Sequence, residues 1–294
     1  YLAFPDDVYI PDGRNAGKVE YIHGGVSRNV VEDIANMELR PTFLSIVDES
    51  ALGDAVVRKL NNHKVNTEYI QSAPNGMGTW LAVFDNNGDL AGSISQRPDL
   101  MPLLDVLEKK GDEIFANADS IIIEVDVDKE IVKKVVELCE KHQKKLYGVV
   151  SNMSIAVERR DFLQKFDCFI CNQLEAGMFF ADDFSETAPK ELAEILAKKL
   201  QLAKIPSMVV TMGGAGSVYA DMKGKKGFCP AKKVQVKDTT GAGDAFCAGV
   251  SSGLTYGKTL AESVEIGTRL AASVITSSEN VCPRFLPGEL GIEA

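Results

Sequence analysis

A run of small residues ending in an aspartate lies in the C-terminal third of the chain. It reads Asp-Thr-Thr-Gly-Ala-Gly-Asp, residues 238–244, and an apolar run of mostly small residues follows. Gly241, Ala242 and Gly243 lie where a strand is predicted to end and a helix to begin, so the backbone there can approach a ligand closely. The first-turn amides and the positive end of the helix dipole would form an anion hole. Asp244 falls beside it, where its carboxylate can take the proton of an attacking hydroxyl.

A second glycine-rich segment precedes a predicted helix near the start of the chain. It reads His-Gly-Gly-Val-Ser-Arg-Asn, residues 23–29. Gly24 and Gly25 let the backbone fit closely around a ligand, and the amide of Asn29 offers both a donor and an acceptor to sugar hydroxyls. Taken alone, each segment also fits an ordinary structural feature: a glycine turn before a helix, or a helix start after a loop.

The elements that must position these motifs alternate along the chain. From about residue 118, β-rich runs alternate with stretches of helical period, which predicts crossover units and a parallel sheet. The predicted strands are Ser120–Val125, Leu146–Val150, Phe166–Cys171 and Ser207–Met212, with a later strand pair turning at Lys223–Gly227. The predicted helices are Lys129–His142, Ile155–Gln164, Pro189–Leu202, Ala242–Leu254 and Leu260–Ser277.

The segment Gly78–Ser95 has a different pattern. Two β-rich runs flank Asn86-Asn87-Gly88, which is a hairpin signal and not a crossover. The sequence therefore predicts an α/β fold with a doubly wound, mostly parallel sheet flanked by helices, and a small β-rich lid. We expect residues 1–294 to form one domain, with a lid built from about residues 78–95 and the N-terminal segment.

Composition limits the classes of ligand and location. Hydrophobic residues make up 45% of the 294 residues, and the formal charge is −10, which disfavours nucleic acid or an anionic membrane as the main partner. No apolar run is long enough to span a bilayer, and no secretory signal pattern is present, so we expect a cytoplasmic protein. Cys168 and Cys171 form a C-x-x-C within an apolar run, which favours buried thiols over zinc or redox chemistry.

Together, the two glycine-rich motifs resemble the two signatures of the ribokinase-like (PfkB) family of carbohydrate and nucleoside kinases. They stand in the family's order, and the resemblance extends over nearly the whole chain. It implies an enzyme that uses ATP and Mg²⁺ to phosphorylate a hydroxyl of a sugar or nucleoside. It also implies that Asp244 is the catalytic base, that Gly24, Gly25 and Asn29 bind the substrate, and that a homodimer forms through the lid.

Three weaker matches follow the family's order. Asp48 with Gly53 resembles a strand and turn of the family, although the usual first glycine is absent. Asn172-x-x-Glu175 resembles the family's N-x-x-E, which implies nucleotide binding by Asn172 and a water-mediated Mg²⁺ contact by Glu175; a helix cap is the alternative. A glycine-rich loop after a strand resembles the family's nucleotide loop, with contacts from Thr211, Gly213 and Gly216.

Asp238 and Thr240 resemble positions that line a monovalent-cation site in some family members, which implies a K⁺ site; the alternative is a structural pair. Family members also begin with a strand and an aspartate that holds sugar hydroxyls. Nothing before Gly24 matches that pattern, so we expect Tyr1 to lie just after it, and Asp6, Asp7 and Asp12 give no assignment.

The acceptor is the finest inference that the sequence allows. Arg28 before Asn29 resembles pseudouridine kinases, so a nucleoside acceptor bound in part by Arg28 is favoured; a helix-start arginine facing solvent is the alternative. Glu124 and Asp126 end a predicted strand with period-two spacing, so both can face the cleft and bind ribosyl hydroxyls, or can be a charged strand end.

Two further function classes differ from the kinase. A dinucleotide oxidoreductase is disfavoured because no G-x-G-x-x-G follows an early strand, and the G-x-x-x-x-G-K-[ST] pattern of a P-loop kinase is absent. A kinase for a free sugar such as ribose or fructose, or an inactive binding protein on the same fold, stays open at this point.

Overall fold

A six-stranded sheet forms the centre of the molecule in a computed structural model that describes residues 1–293. Its strands are β7 (Ser120–Glu124), β8 (Lys145–Val149), β9 (Cys168–Asn172), β10 (Ser207–Thr211), β11 (Ser217–Asp221) and β12 (Lys226–Cys229). The order across the sheet is β12-β11-β10-β9-β8-β7. The pairs from β7 to β10 are parallel, and the last two pairs are antiparallel.

Helices cover both faces of this sheet. The helices are α1 (Val26–Asn36), α2 (Ala51–Asn62), α3 (Pro102–Asn117), α4 (Lys129–His142), α5 (Met153–Ala156), α6 (Arg160–Leu163), α7 (Gln173–Phe180), α8 (Pro189–Ala203), α9 (Ala242–Thr255) and α10 (Leu260–Val274). Leu146 and Phe169 pack with α3, α4 and α8 on one face, and Tyr147 and Ile170 pack with α1, α9 and α10 on the other. Alternate strand residues therefore point into two separate cores.

A second sheet of four strands stands apart from the first; we call it the small sheet. Its strands are β1 (Leu2–Pro5), β2 (Gly17–Glu20), β5 (Thr79–Phe84) and β6 (Leu90–Gln96). Their order is β2-β1-β5-β6, and β5 and β6 form the hairpin that Asn86-Asn87-Gly88 predicts. A two-stranded parallel pair, β3 (Ser45–Val47) with β4 (Ile70–Ser72), completes the strands of residues 1–293. The predicted fold class is confirmed.

One segment predicted as a single helix is not continuous. The segment predicted as a helix over Ile155–Gln164 is two short helices, α5 and α6, joined by a 3-10 turn at Val157–Arg159. The guanidinium of Arg160 donates to the carbonyl oxygen of Phe179 and lies 5.1 Å from the centroid of its ring. This tertiary contact anchors the second half of the segment at a position that its own apolar pattern does not specify.

The C-x-x-C cysteines lie on opposite faces of β9. Cys168 packs in the core with α9 and α10, and Cys171 packs in the core with α4 and α8. An odd separation along a strand sends two side chains to opposite sides. Both thiols are buried and unpaired, and burial raises the pKa of Cys168 to about 12, as expected for packing residues.

The helix that follows the C-terminal motif is held by close backbone contact with α10. A Cβ placed at Gly249 of α9 would lie 2.7 Å from the Cα of Gly267. Glycine at both positions lets α9 and α10 approach more closely than side chains would allow. The position of the first turn of α9, and of Asp244 within it, therefore depends on this contact.

We expect Gly249→Ala to destabilise the protein by about 1–3 kcal/mol, because the added methyl group meets backbone and forces the two helices apart. The measurement is the urea midpoint of unfolding. Gly92→Ala is the matched control, because a Cβ at that strand position meets nothing within 4 Å. A midpoint for Gly249→Ala equal to that of the control would contradict close helix contact.

Candidate active site

The N-terminal motif forms the start of α1. Gly25 is the N-cap residue with φ 104°, a left-handed conformation that glycine adopts without strain, and its carbonyl accepts from the amide of Asn29 at 2.9 Å. The amide of Ser27 donates to Glu124 at the end of β7, at 2.9 Å. The helix start is thereby attached to the carboxyl end of the central sheet, where ligands of open α/β sheets bind.

A single hydrogen bond joins the two predicted motifs. The side-chain amide Nδ2 of Asn29 donates to Oδ2 of Asp244 at 2.6 Å, across 215 residues of sequence. Asn29 is buried, and Asp244 is half-buried in the first turn of α9. The structure therefore brings the predicted substrate asparagine and the predicted base to one point.

The turn before α9 requires glycine. Gly241 has φ 80°, and a Cβ there would lie 1.9 Å from the carbonyl oxygen of Asn280. The segment that follows α10 thus packs directly against the predicted anion hole. At Gly243 the space is open, because a Cβ would meet nothing within 4 Å. The amide of Ala242 donates to the carbonyl of Thr239 at 3.2 Å, so it is already engaged within the turn.

The electrostatic environment raises the pKa of Asp244 to about 7. Burial is the largest cause, and the nearby carboxylate of Glu124 adds to it; the donor Nδ2 of Asn29 and the charge of Arg28 act in the opposite direction. A carboxylate of ordinary pKa is a weak base, and a pKa near the working pH favours proton transfer. The same residues that position Asp244 also adjust its basicity.

The guanidinium of Arg28 is directed into the protein, which corrects the predicted substrate contact. Its side chain is 7% exposed. Four of its donor contacts go to protein groups: the carbonyl oxygens of His23 and Gly24, and the side chains of Asn29 and Glu32. Because a guanidinium has five N–H groups, little donor capacity remains for a substrate.

Glu124 and Asp126 occupy different environments. Glu124 ends β7, faces the start of α1 and lies close enough to Asp244 to influence its pKa. Asp126 lies beyond the strand, is 4% exposed, and accepts from the amide and hydroxyl of Ser151 at 2.9 and 2.7 Å and from Arg97 at 3.0 Å. Its carboxylate is committed to protein partners, so the predicted contact with ribosyl hydroxyls is not supported for Asp126.

Asn172 and Glu175 form a capping box at the start of α7. Oδ1 of Asn172 accepts from the amide of Glu175 at 2.8 Å, and a carboxylate oxygen of Glu175 accepts from the amide of Asn172 at 2.7 Å. Burial and the charge of Asp126 raise the pKa of Glu175. Within residues 1–293, no three His, Cys, Asp or Glu side chains come together as a metal site.

The predicted nucleotide loop follows β10, next to β9 and α7. Thr211 is the last residue of β10, and Gly213 and Gly216 have φ values of 54° and 113°. A Cβ at Gly216 would lie 2.2 Å from the carbonyl oxygen of Cys229, so glycine is required there. Asp238 and Thr240 form a separate turn, in which Oδ1 of Asp238 accepts from the amide and hydroxyl of Thr240 at 2.9 and 2.8 Å.

Comparison with known proteins identifies the family. The family model described as pfkB family carbohydrate kinase matches residues 4–282. The chain belongs to the pfkB family. It is therefore a phosphotransferase that acts on a hydroxyl group of a small sugar or nucleoside, and kinases of this family use ATP and Mg²⁺.

This pfkB kinase is similar in sequence to two nucleoside kinases and in fold to a ribokinase. It is 34% identical over 271 residues to the guanosine-inosine kinase of Exiguobacterium acetylicum, covering 92% of this chain and 88% of the relative. It is 25% identical over 251 residues to the pseudouridine kinase of Escherichia coli (strain K12), covering 85% and 79%. The structure of Arabidopsis thaliana ribokinase complexed with ribose and ATP aligns with a TM-score of 0.81 at 18% identity, covering 96% and 92%, and shows the shared fold.

Two residues of this pfkB kinase site were missed in the sequence. The side chain of Asn280 donates to the carbonyl oxygen of His23 at 2.8 Å and to Oδ1 of Asn29 at 3.2 Å. Burial raises the pKa of Asp33 to about 8, and its carboxyl group accepts from the amide of Cys282 at 2.6 Å. No motif marks Asn280, but a charged pair at positions 32 and 33 on the same helix as Asn29 was a visible signal.

The described part of the kinase, residues 1–293, contains no helix with both the length and the apolar character needed to cross a bilayer. Asp6, Asp7 and Asp12, which gave no assignment in the sequence, lie exposed between β1 and β2.

We expect kcat to fall as the pH drops below about 7, because Asp244 must be ionised to accept a proton and its pKa is raised to about 7. Asp244→Asn should remove this acid limb and lower kcat by roughly 10²–10⁴-fold while the urea midpoint and the affinity for ATP stay near those of the wild type. Steady-state rates from pH 5 to 9 test both expectations.

The control for that series is Asp112→Asn, which removes a carboxylate from an exposed ion pair with Lys141. It should leave the profile unchanged. An Asp244→Asn enzyme with wild-type kcat would exclude Asp244 as the base.

Proposed function

We propose that this kinase phosphorylates a ribonucleoside, with Asp244 as the general base and the backbone at Gly241–Gly243 as the anion hole. The observation that carries the base assignment is the 2.6 Å hydrogen bond from Asn29 to Asp244, which unites the two motifs. In the proposed reaction the acceptor oxygen forms a bond to the γ-phosphorus of ATP and Asp244 takes its proton. The bond from that phosphorus to the bridging oxygen breaks, and ADP leaves with the electron pair.

The proposed anion hole uses the open side of the α9 turn. The space beside Gly243 is open and can admit phosphate oxygens. At Gly241 the backbone of Asn280 occupies the corresponding space, and the amide of Ala242 already donates to Thr239. The positive end of the α9 dipole faces this space and favours the negative charge of the transferring phosphoryl group. Gly243 is thus the member of the motif whose backbone we expect to contact the phosphate most directly.

We place the proposed Mg²⁺ contact at Glu175. Burial is the largest cause of the raised pKa of Glu175, and the charge of Asp126 adds to it. A divalent cation near Glu175 would favour its ionised form, and Mg²⁺ commonly keeps several waters between itself and the protein. We propose that Glu175 holds Mg²⁺ through water, with Asn172 and the loop of Thr211, Gly213 and Gly216 beside the nucleotide; the bound ion would neutralise phosphate charge.

A row of aromatic rings beside the Gly24-Gly25 turn supports a nucleoside acceptor. The rings of Tyr21 and His23 are 5.0 Å apart, and those of Tyr1 and Tyr21 are 5.2 Å apart. Tyr21 is 40% exposed, so part of its ring is accessible. An accessible aromatic ring next to the proposed acceptor site offers a stacking surface to a nucleobase, which a free sugar lacks.

Among nucleosides, guanosine and inosine are the first candidates, because the relative at 34% identity carries their names. Pseudouridine is the second candidate, supported by the relative at 25% identity.

The contact of two copies through the small sheet stays a prediction, supported by exposed apolar side chains at Val19 and Ile94.

We expect at least one of guanosine, inosine, pseudouridine, uridine and adenosine to exceed ribose and fructose in kcat/KM by about 10²-fold or more, since sites that hydrogen-bond a ligand reject analogues lacking its groups.

Tyr21→Leu should lower kcat/KM for the best nucleoside about tenfold, because base stacking contributes roughly 1–3 kcal/mol. Rates with Mg²⁺-ATP measure both.

Tyr9→Leu is the control, because Tyr9 lies beside Asn86 at the far turn of the small sheet. Ribose or fructose exceeding every nucleoside would exclude the nucleoside acceptor while leaving the kinase assignment intact.

We also propose that a monovalent cation binds at Asp238 and Thr240 and orders the turn before Gly241. Replacing Na⁺ with K⁺ at constant ionic strength should then raise kcat, and Asp238→Asn should abolish the response. Asp221→Asn is the matched control, because Asp221 accepts two backbone amides in a similar turn at 2.9 Å, away from the motif. Equal rates in Na⁺ and K⁺ would show that Asp238 and Thr240 form a structural pair.

A further inference from the structure

The orientation of the Asn29 side-chain amide is fixed by its neighbours. Its Oδ1 accepts from the guanidinium of Arg28 and from Nδ2 of Asn280, and its Nδ2 donates to Asp244. A flipped amide would place its NH₂ group against two donors and its oxygen against a carboxylate. Arg28 and Asn280 therefore determine that Asn29 presents a donor, and not an acceptor, to Asp244.

Arg28 is itself held by a buried carboxylate. Its Nη1 donates to Glu32, one helical turn further along α1. Glu32 has no exposed surface, and its other carboxylate oxygen lies 3.2 Å from Nζ of Lys59 and 3.6 Å from Nε2 of His63. The guanidinium is thus held by Glu32 within α1 and by the carbonyl oxygens of His23 and Gly24 in the turn that precedes α1.

We propose that Arg28 and Glu32 are positioning residues, which hold the Asn29 amide in the one orientation that aligns the carboxylate of Asp244 for catalysis. This inference rests on the proposed role of Asp244 as the base. In this role neither Arg28 nor Glu32 contacts the substrate. They act through a chain of contacts that runs from Glu32 to Arg28, to Asn29 and to Asp244.

A role in stability alone does not account for this arrangement. Desolvating two charges offsets much of their attraction, so apolar replacement of a buried ion pair is often neutral or stabilising, whereas removal of one partner leaves an uncompensated charge. Arg28 donates one hydrogen bond to Glu32, and its three other hydrogen bonds go to His23, Gly24 and Asn29. The geometry of the guanidinium is directed at the segment that carries Asn29.

Several charged groups surround Asp244 and enter the expected pH response. Glu124 approaches from β7, and Arg28 and Asp33 approach from α1. Arg28 and the oriented donor of Asn29 both favour the ionised form of Asp244, whereas Glu124 and burial disfavour it. Loss of Arg28 should therefore move the acid limb of the kcat profile to higher pH.

The test is the double variant Arg28→Met with Glu32→Leu, which replaces the charged pair with apolar side chains. We expect a urea midpoint near that of the wild type, kcat lowered about 10- to 100-fold, an acid limb at higher pH, and KM for ATP within about twofold of the wild type. The acceptor is the best nucleoside found for the wild-type enzyme. The matched control is Arg284→Met with Glu38→Leu, an exposed arginine–glutamate pair that involves the residue two positions after the end of α1.

The single variant Arg28→Lys keeps the positive charge but loses the planar guanidinium that contacts Glu32, Asn29 and His23 together. It should lower kcat and leave the protein folded. If the double variant does not fold, Arg28→Lys decides the question. Wild-type kcat and a wild-type acid limb in either folded variant would overturn the positioning role, and so would a loss of kcat matched by the Arg284→Met with Glu38→Leu control.

Combination with Asp244→Asn separates this inference from the proposed function. If Arg28 acts through Asp244, adding Arg28→Lys to Asp244→Asn should cause no further loss of kcat beyond about twofold, because effects along one chain of contacts are not additive. A full further loss would show that Arg28 acts by another route. Wild-type activity in Asp244→Asn would instead exclude the base itself.

Discussion

The hydrogen bond from Asn29 to Asp244 is the contact on which the site depends, because it requires two helices from opposite ends of the chain to meet. α1 packs against α9, and α9 approaches α10 closely enough that only glycine fits at Gly249 and Gly267. The segment after α10 then returns to α1, where the amide of Cys282 donates to Asp33. Packing of small residues thus fixes a polar contact that neither helix could form alone.

Opposing effects act on the pKa of the Asp244 carboxylate. Burial and Glu124 raise the pKa of Asp244, while Asn29 and Arg28 lower it, and the result lies at about 7. Burial also raises the pKa of Asp33 to about 8, and the charges of Asp244 and Glu32 contribute in the same direction. The carboxylate of Asp244 therefore acts on a second carboxyl group, which α1 carries.

The sequence predicted the features that depend on local pattern. Strands β7 to β10 and helix α4 follow from alternating β-rich and helical runs, and the hairpin of β5 and β6 follows from Asn86-Asn87-Gly88. It could not predict features set by distant contacts. Arg160, in the second half of the segment 155–164, contacts Phe179, and Asn280, which carries no motif, reaches His23 and Asn29 from 251 or more positions away.

Arg28 illustrates why a motif specifies residues more reliably than their roles. Its place beside Asn29 predicted a contact with substrate, yet the glutamate four positions on, Glu32, offers a helical partner one turn away. An arginine in the first turn of a buried helix cannot leave its charge unpaired, so it turns towards that partner and towards the free carbonyl oxygens of the preceding turn. The i, i+4 spacing of Arg28 and Glu32 is visible in the sequence. That the two side chains pair with each other depends on the burial of α1, which the spacing does not show. A polar residue next to a predicted binding residue can therefore contact that residue instead of the ligand, and the depth of the polar residue in the fold decides between the two.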